Sequence, residues 1–142
     1  MNVEQIMEVL PHRPPFLLVD KLLECRGAQG VHGVKYLTSG EFFFEGHFPG
    51  RPVMPQTLLL EVTAQAGAAG VLSEPENRGK YILFAAVDRC SFGRCPRPGD
   101  AVEIVTELVS LKRSLGKVHA RCFVGEEELL DGLFVFALSD SV

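Results

Sequence analysis

From Pro55 to Leu72 the chain reads PQTLLLEVTAQAGAAGVL, a run whose only charge is Glu61. As a helix it is about 27 Å long and apolar on nearly every side, the pattern of a helix covered all round. A bilayer could provide that cover. However, Pro52, Pro55, Gln56, Thr57, Thr63 and Gln65 dilute the segment, and it lacks an aromatic belt or a basic flank. The prediction is a central helix inside a protein, with Pro55 in its first turn, where a missing N–H costs little. Gly67 and Gly70 each cost such a helix about 1 kcal/mol relative to alanine, so something is expected to pack closely there.

The rest of the chain must then supply the cover. Val3–Leu10 has a short helical pattern that Pro11 ends. Phe16–Cys25 and Val31–Thr38 read as strands of a hairpin, with Gly27 and Gly30 around the turn. After the central helix, SEPENRGK (73–80) is a solvated connection. Four further strands follow, at Tyr81–Phe92, Ala101–Arg113, Lys117–Val124 and Glu128–Leu138. They are separated by PRPGD (96–100), Ser114-Leu115-Gly116 and Gly125-Glu126-Glu127. An antiparallel sheet needs one face covered, and one helix can cover it. The fold class is therefore α+β, a curved antiparallel sheet wrapped around one long helix, in a single domain spanning 1–142. At 142 residues such a chain buries about two-thirds of its unfolded surface without staples.

Several classes of partner drop out. The net charge is −4 and the longest basic run is Lys112-Arg113, so no nucleic acid is expected. Cys25, Cys90, Cys95 and Cys122 form no CxxC pair and the histidines add no ligand spacing, so neither a metal nor a disulfide framework is expected. The first residues, MNVEQIMEVL, are acidic and amphipathic rather than a secretory signal. Free thiols then suit a cytoplasmic protein.

Chemistry concentrates just before and within the helix, in GHFPGRPVMPQTLLLEVTAQ (46–65). His47 follows Phe42, Phe43 and Phe44 and precedes Phe48; Glu61 lies among leucines and valine. Burial disfavours the charged form of either group, leaving an imidazole able to accept a proton and a carboxyl able to give one. Gln65 lies four residues from Glu61, on the same helix face, where it can hold the carboxylate. Free N–H groups at the helix N-terminus can stabilise a developing oxyanion. A base, an acid and an oxyanion site suit proton abstraction next to a carbonyl. The same residues also fit a hydrogen-bonded core histidine, a structural glutamate and a short polyproline segment that binds a partner.

This stretch resembles the signature GHFPGxPxMPGVLxxEAxAQ of the (3R)-hydroxyacyl-acyl carrier protein dehydratases, the FabZ-like family. LPHRPPFLLVDKLLE (10–24) is similar to that family's LPHRxPFLLVDR, and FAAVDRCSFGRCPRPGD (84–100) to its FAGIDxxxFxxPVxPGD. The resemblance implies a hot-dog fold and reversible syn dehydration of a (3R)-3-hydroxyacyl thioester to the trans-2-enoyl thioester, in fatty-acid or related acyl-chain biosynthesis. It implies His47 as general base, Glu61 as the acid and Gln65 as the acid's support, with Phe48, Gly50 and Gln56 in the oxyanion and substrate-binding region. No cofactor is implied. The implied partners are an acyl carrier protein presenting a phosphopantetheine thioester and a second copy of the chain, joined sheet edge to sheet edge, often within a trimer of dimers. Histidine and acid would come from different subunits. Carrier proteins are acidic, so Arg78, Lys80, Arg89, Arg94 and Arg97 are candidates for a basic entrance, weighed against an ordinary solvated surface.

This chain has Gln56 where the family pattern has glycine. The backbone N–H that would meet the thioester carbonyl is kept, but a side chain is added. Either the loop needs a positive φ and is strained, or the side chain narrows the acyl tunnel and alters substrate choice. Two other functions fit such a chain: a hot-dog thioesterase, in which Glu61 activates water, and a non-catalytic subunit that only binds the acyl carrier. His47 favours dehydration.

Overall fold

The computed structural model describes residues 1–141. A short helix, α1 (Val3–Val9), is capped by Asn2, whose side chain accepts the Gln5 N–H at 2.9 Å while the Gln5 side chain accepts the Asn2 N–H. Strands β1 (Lys21–Cys25) and β2 (Gly30–Tyr36) follow, then the long helix α2 (Gln56–Ser73). Strands β3 (Tyr81–Phe92), β4 (Ala101–Lys112), β5 (Leu115–Val124) and β6 (Glu127–Ser139) complete the chain. One six-stranded sheet results, in the order β1-β2-β4-β5-β6-β3, with every neighbouring pair antiparallel. The edges are β1 and β3.

Helix α2 contacts β2, β4, β5 and also β3 at the far edge. One helix reaches strands so far apart only because the sheet bends around it. Leu59, Val62, Ala66 and Ala69 are fully buried at helical spacing. They share the core with Val102, Ile104, Ala120, Cys122, Leu130 and Phe134 from the inner face of β4, β5 and β6. The α+β arrangement predicted above is the one observed. Of the two helix glycines, Gly70 bears out the expected close approach, since a Cβ there would stand 2.6 Å from Val31 Cγ1 and 2.8 Å from the Gly27 carbonyl oxygen. Gly67 does not: its nearest neighbour, Thr106, would be in ordinary contact at 3.6 Å.

Three boundaries differ from the sequence reading. Phe16 closes a turn, its N–H donating to the Arg13 carbonyl at 2.9 Å, and residues 17–20 form no strand, since the Leu18 N–H and Phe16 carbonyl bond to the Gln65 side chain. The β4–β5 turn is Arg113-Ser114, not Ser114–Gly116: Lys112 pairs with Leu115, and Gly116 sits inside β5. That glycine makes room for a ring, since a Cβ on it would lie 2.1 Å from Phe136 Cζ. Pro55 precedes the helix rather than occupying its first turn. Its ψ is 134°, and its carbonyl accepts the N–H groups of Leu58 and Leu59.

Candidate active site

The segment leading into α2 is a folded loop. Phe43 and Phe44, in a single 3-10 turn, are buried in the core, and Glu41 just before them pairs with the buried Lys35 ammonium at 2.8 Å. Phe48 and Arg51 exchange backbone bonds at 3.1 and 2.9 Å around Pro49-Gly50, with Gly50 at φ +72°. Proline then glycine is the pair a type II turn selects, because its third residue needs a positive φ. Beyond the turn, Val53 N–H donates to the His47 carbonyl at 2.9 Å and the His47 Nδ1–H donates to the Val53 carbonyl at 2.8 Å. A carbonyl only accepts, so Nδ1 carries a proton, and the tautomer this bond selects has its free lone pair on Nε2. The ring lies against Phe48, with centroids 4.1 Å apart.

Glu61 lies one turn before Gln65 on α2, and the Gln65 amide fixes it. Gln65, 1% exposed, donates from Nε2 to Glu61 Oε1 at 2.8 Å and to the Phe16 carbonyl at 2.9 Å. Its Oε1 accepts the Leu18 N–H at 2.9 Å. Both residues line an apolar cavity of about 250 Å³, walled also by Ala68 of α2, Phe134 of β6, and His12 and Phe16 from the segment after α1. His12 and Phe16 are wall residues that spacing and composition did not single out. They stack four residues apart, ring on ring, and His12 Nδ1 is the one buried side-chain polar atom without a hydrogen-bond partner among the described residues.

Within one chain, then, Glu61 and Gln65 come together at the cavity, and His47, Phe48 and Gly50 do not line it. Phe48 and Gly50 flank a separate shallow hollow with Phe42 and Pro52. The expected deep burial of the acid/base pair is also not seen in the single chain: His47 and Glu61 are half-buried, and Phe48 is 55% exposed. Gln56 follows neither anticipated course. It begins α2, and Arg113 is the only non-glycine residue at positive φ among the described residues. Its side chain does not line the cavity; Nε2 donates to the Gly93 carbonyl at 3.0 Å.

The basic candidates separate into two groups. Arg78 and Lys80 precede β3, and Arg94 and Arg97 follow it, so the length of a twelve-residue strand, about 40 Å, divides them. Arg89 lies between and approaches Asp131 at 3.5 Å. Arg94 is engaged by Asp100 at 2.7 Å and Glu127 at 2.8 Å, bonds that push its own pKa up. Burial works to raise the Asp100 carboxyl, but Arg94 and the Arg97 N–H outweigh it and hold the group below its ordinary value. Elsewhere, burial pushes the Cys122 thiol up to about 12 against a bond with Thr63. Among the described residues, no three His, Cys, Asp or Glu side chains gather to hold a metal ion, and no helix is long and apolar enough to cross a membrane.

The FabA-like domain family matches residues 10–132 of the chain. The chain belongs to the FabA-like family. Among its relatives, the 3-hydroxyacyl-[acyl-carrier-protein] dehydratase FabZ of Caldicellulosiruptor saccharolyticus is 45% identical over 137 residues, covering 96% of this chain and 98% of that one. The protein of the same name from Moorella thermoacetica is 44% identical over 142 residues, 100% of this chain and 99% of its own. Solved structures share the architecture at much lower identity. The dehydratase heterocomplex ApeI:P of Xenorhabdus doucetiae superposes with a TM-score of 0.72 at 18% identity, covering 93% of this chain and 89% of that one. A hypothetical thioesterase of Streptococcus pneumoniae with coenzyme A has a TM-score of 0.65 at 12% identity, covering 84% of each chain. The fold of this FabA-like protein is the hot-dog fold.

Proposed function

We propose that the chain dehydrates (3R)-3-hydroxyacyl thioesters of an acyl carrier protein to trans-2-enoyl thioesters, with His47 as base and Glu61 as acid. The observation that carries the assignment is the bond from His47 Nδ1–H to the Val53 carbonyl, which leaves the Nε2 lone pair as the ring's only proton acceptor. Nε2 takes the C2 proton, the C2–H electrons form the C2=C3 bond, and the C3–O bond breaks. Glu61, aimed by Gln65, protonates the departing hydroxyl, which leaves as water. The thioester carbonyl gains negative charge during this step and meets the first N–H groups of α2. Afterwards the imidazolium gives up its proton, and Glu61 regains one.

Two copies of the chain complete the site in this reading. The unpaired edge β3 exposes Leu83, Phe84, Val87 and Phe92, which a second β3 would cover. His47, outside its own chain's cavity, would then face the partner's Glu61. Antiparallel pairing of the two β3 strands would also bring Arg78 and Lys80 of one copy towards Arg97 of the other, gathering a basic surface for an acidic carrier. Arg113, which lines a surface hollow with Lys80, adds to it.

The test is to incubate the protein with a 3-hydroxybutyryl thioester and follow enoyl absorbance and free thiol together. Enoyl product without thiol is expected. Release of thiol instead identifies a hydrolase, the one rival favoured by a specific observation, since Glu61 stands in its chain's cavity without His47. His47→Ala is expected to lower crotonyl-thioester hydration by about 10²–10⁴-fold, the usual loss of a general base. Undiminished hydration in that variant removes His47 from the mechanism.

A further inference from the structure

The first turn of α2 has no side-chain cap, because Pro55 stands where a hydroxyl or carboxylate would. It is held from outside instead, at two points on either side of Pro55. The Met54 N–H donates to the Pro96 carbonyl at 2.8 Å, and Gln56 Nε2 donates to the Gly93 carbonyl at 3.0 Å. Both acceptors belong to the connection between β3 and β4, and that connection is firmly anchored. Gly93 N–H donates to the Leu129 carbonyl at 2.9 Å, and a Cβ on Gly93 would stand 2.5 Å from the Glu128 carbonyl oxygen. Arg94 bonds Asp100 and Glu127.

A single attachment would leave the turn free to pivot; two fix both its place and its tilt. Among the described residues, the leading N–H groups of Gln56 and Thr57 have no acceptor. Their direction is therefore set by how the turn is held. Glycine at position 56, as in the dehydratase signature, has no side chain with which to make the second attachment.

We propose that Gln56 is a positioning residue whose side-chain amide, fixed on the Gly93 carbonyl, aims the first-turn N–H groups at the thioester carbonyl. The proposal rests on the dehydratase reading above. It differs from a tunnel-narrowing role, because the side chain lies outside the cavity wall. It also differs from a purely structural link, because it acts on the charge that develops during the reaction.

The comparison is between wild type, Gln56→Met, which keeps the length and lacks the donor, and Gln56→Lys, which restores a donor. With a 3-hydroxyacyl thioester, Gln56→Met is expected to lower kcat about tenfold with KM changed less than about threefold, since a misaimed donor costs less than a deleted one. Gln56→Lys recovers most of that loss. Amide exchange at residues 56–58 accelerates in Gln56→Met and is unchanged in β4 and β5. A kcat within twofold of wild type at a temperature where both proteins are folded overturns the proposal, as does a Gln56→Lys variant as slow as Gln56→Met. The wild-type product decides the dehydratase reading separately. If that product is free thiol, the same kcat ratio is read on hydrolysis, whose tetrahedral oxyanion needs the same donors.

Discussion

Gln65 has both ends of its amide committed, and this makes it more than a helper to one carboxylate. Its three bonds join Glu61 to the Phe16 and Leu18 backbone, which has no strand partner there. Gln65→Leu would leave a buried N–H and a carbonyl unpaired, at about 1–3 kcal/mol for each unsatisfied group. The expected outcome is roughly 3 kcal/mol less stability in urea, together with a dehydration rate well below wild type. A variant of unchanged stability would mean that another group accepts those bonds. Cys122 presents the opposite case, a reactive group made inert by its place. Fully buried and with its thiol pushed up to about 12 by desolvation, it has little thiolate at pH 8. A disulfide reagent at that pH is expected to leave Cys122 unmodified in native protein and to reach it only in urea, as mass spectrometry of the labelled peptides would show.

At the level of elements, the connection between β3 and β4 is organised by charge. Asp100 is held below its ordinary carboxyl value in the folded chain, against the pull of burial, chiefly by Arg94. A depressed carboxyl contributes stability above its unfolded pKa and loses it as pH falls through the lower folded value. The contribution is therefore present at neutral pH, starts to fall at about pH 4, the unfolded carboxyl value, and is gone only below the lower folded value. Arg94→Met is expected to cost about 1–2 kcal/mol at pH 7, because it leaves Asp100 and Glu127 without their cation, and to move the acid-unfolding midpoint to higher pH. An acid transition identical to wild type would assign that stability elsewhere. The four later strands were legible from the sequence because alternation and Gly/Pro breaks are local signals. The start of β1 was not, since the Gln65 amide that replaces its strand partner is 47 residues away from Leu18. Nor was Gly116, which a turn explains as readily as the Phe136 ring does until the β5–β6 register is known. At the site, Glu61 and Gln65 were readable from their spacing of four, whereas His12 and Phe16 reach the same cavity through the fold.

For the molecule as a whole, two incomplete halves stand out. The cavity holds Glu61 without His47, the loop holds His47 outside the cavity, and the outer edge of β3 is unpaired, with four apolar side chains about 40% exposed. A long apolar edge strand invites another strand, and a two-fold partner makes any shared site occur twice. Subunit complementation separates this arrangement from a site within one chain. His47→Ala and Glu61→Gln are each expected to be nearly inactive alone. In a dimer with one copy of each, the site that draws its histidine from the first chain and its acid from the second has lost both groups. The other site has lost neither. With equal, random pairing, half the dimers are mixed and half their sites are intact, so about a quarter of wild-type activity should return. Co-expression of two differently tagged chains, followed by purification on both tags, raises the expected value to about half. Mixed dimers no more active than either parent would place His47 and Glu61 in one chain, and the loop carrying His47 would then have to move towards its own cavity during catalysis.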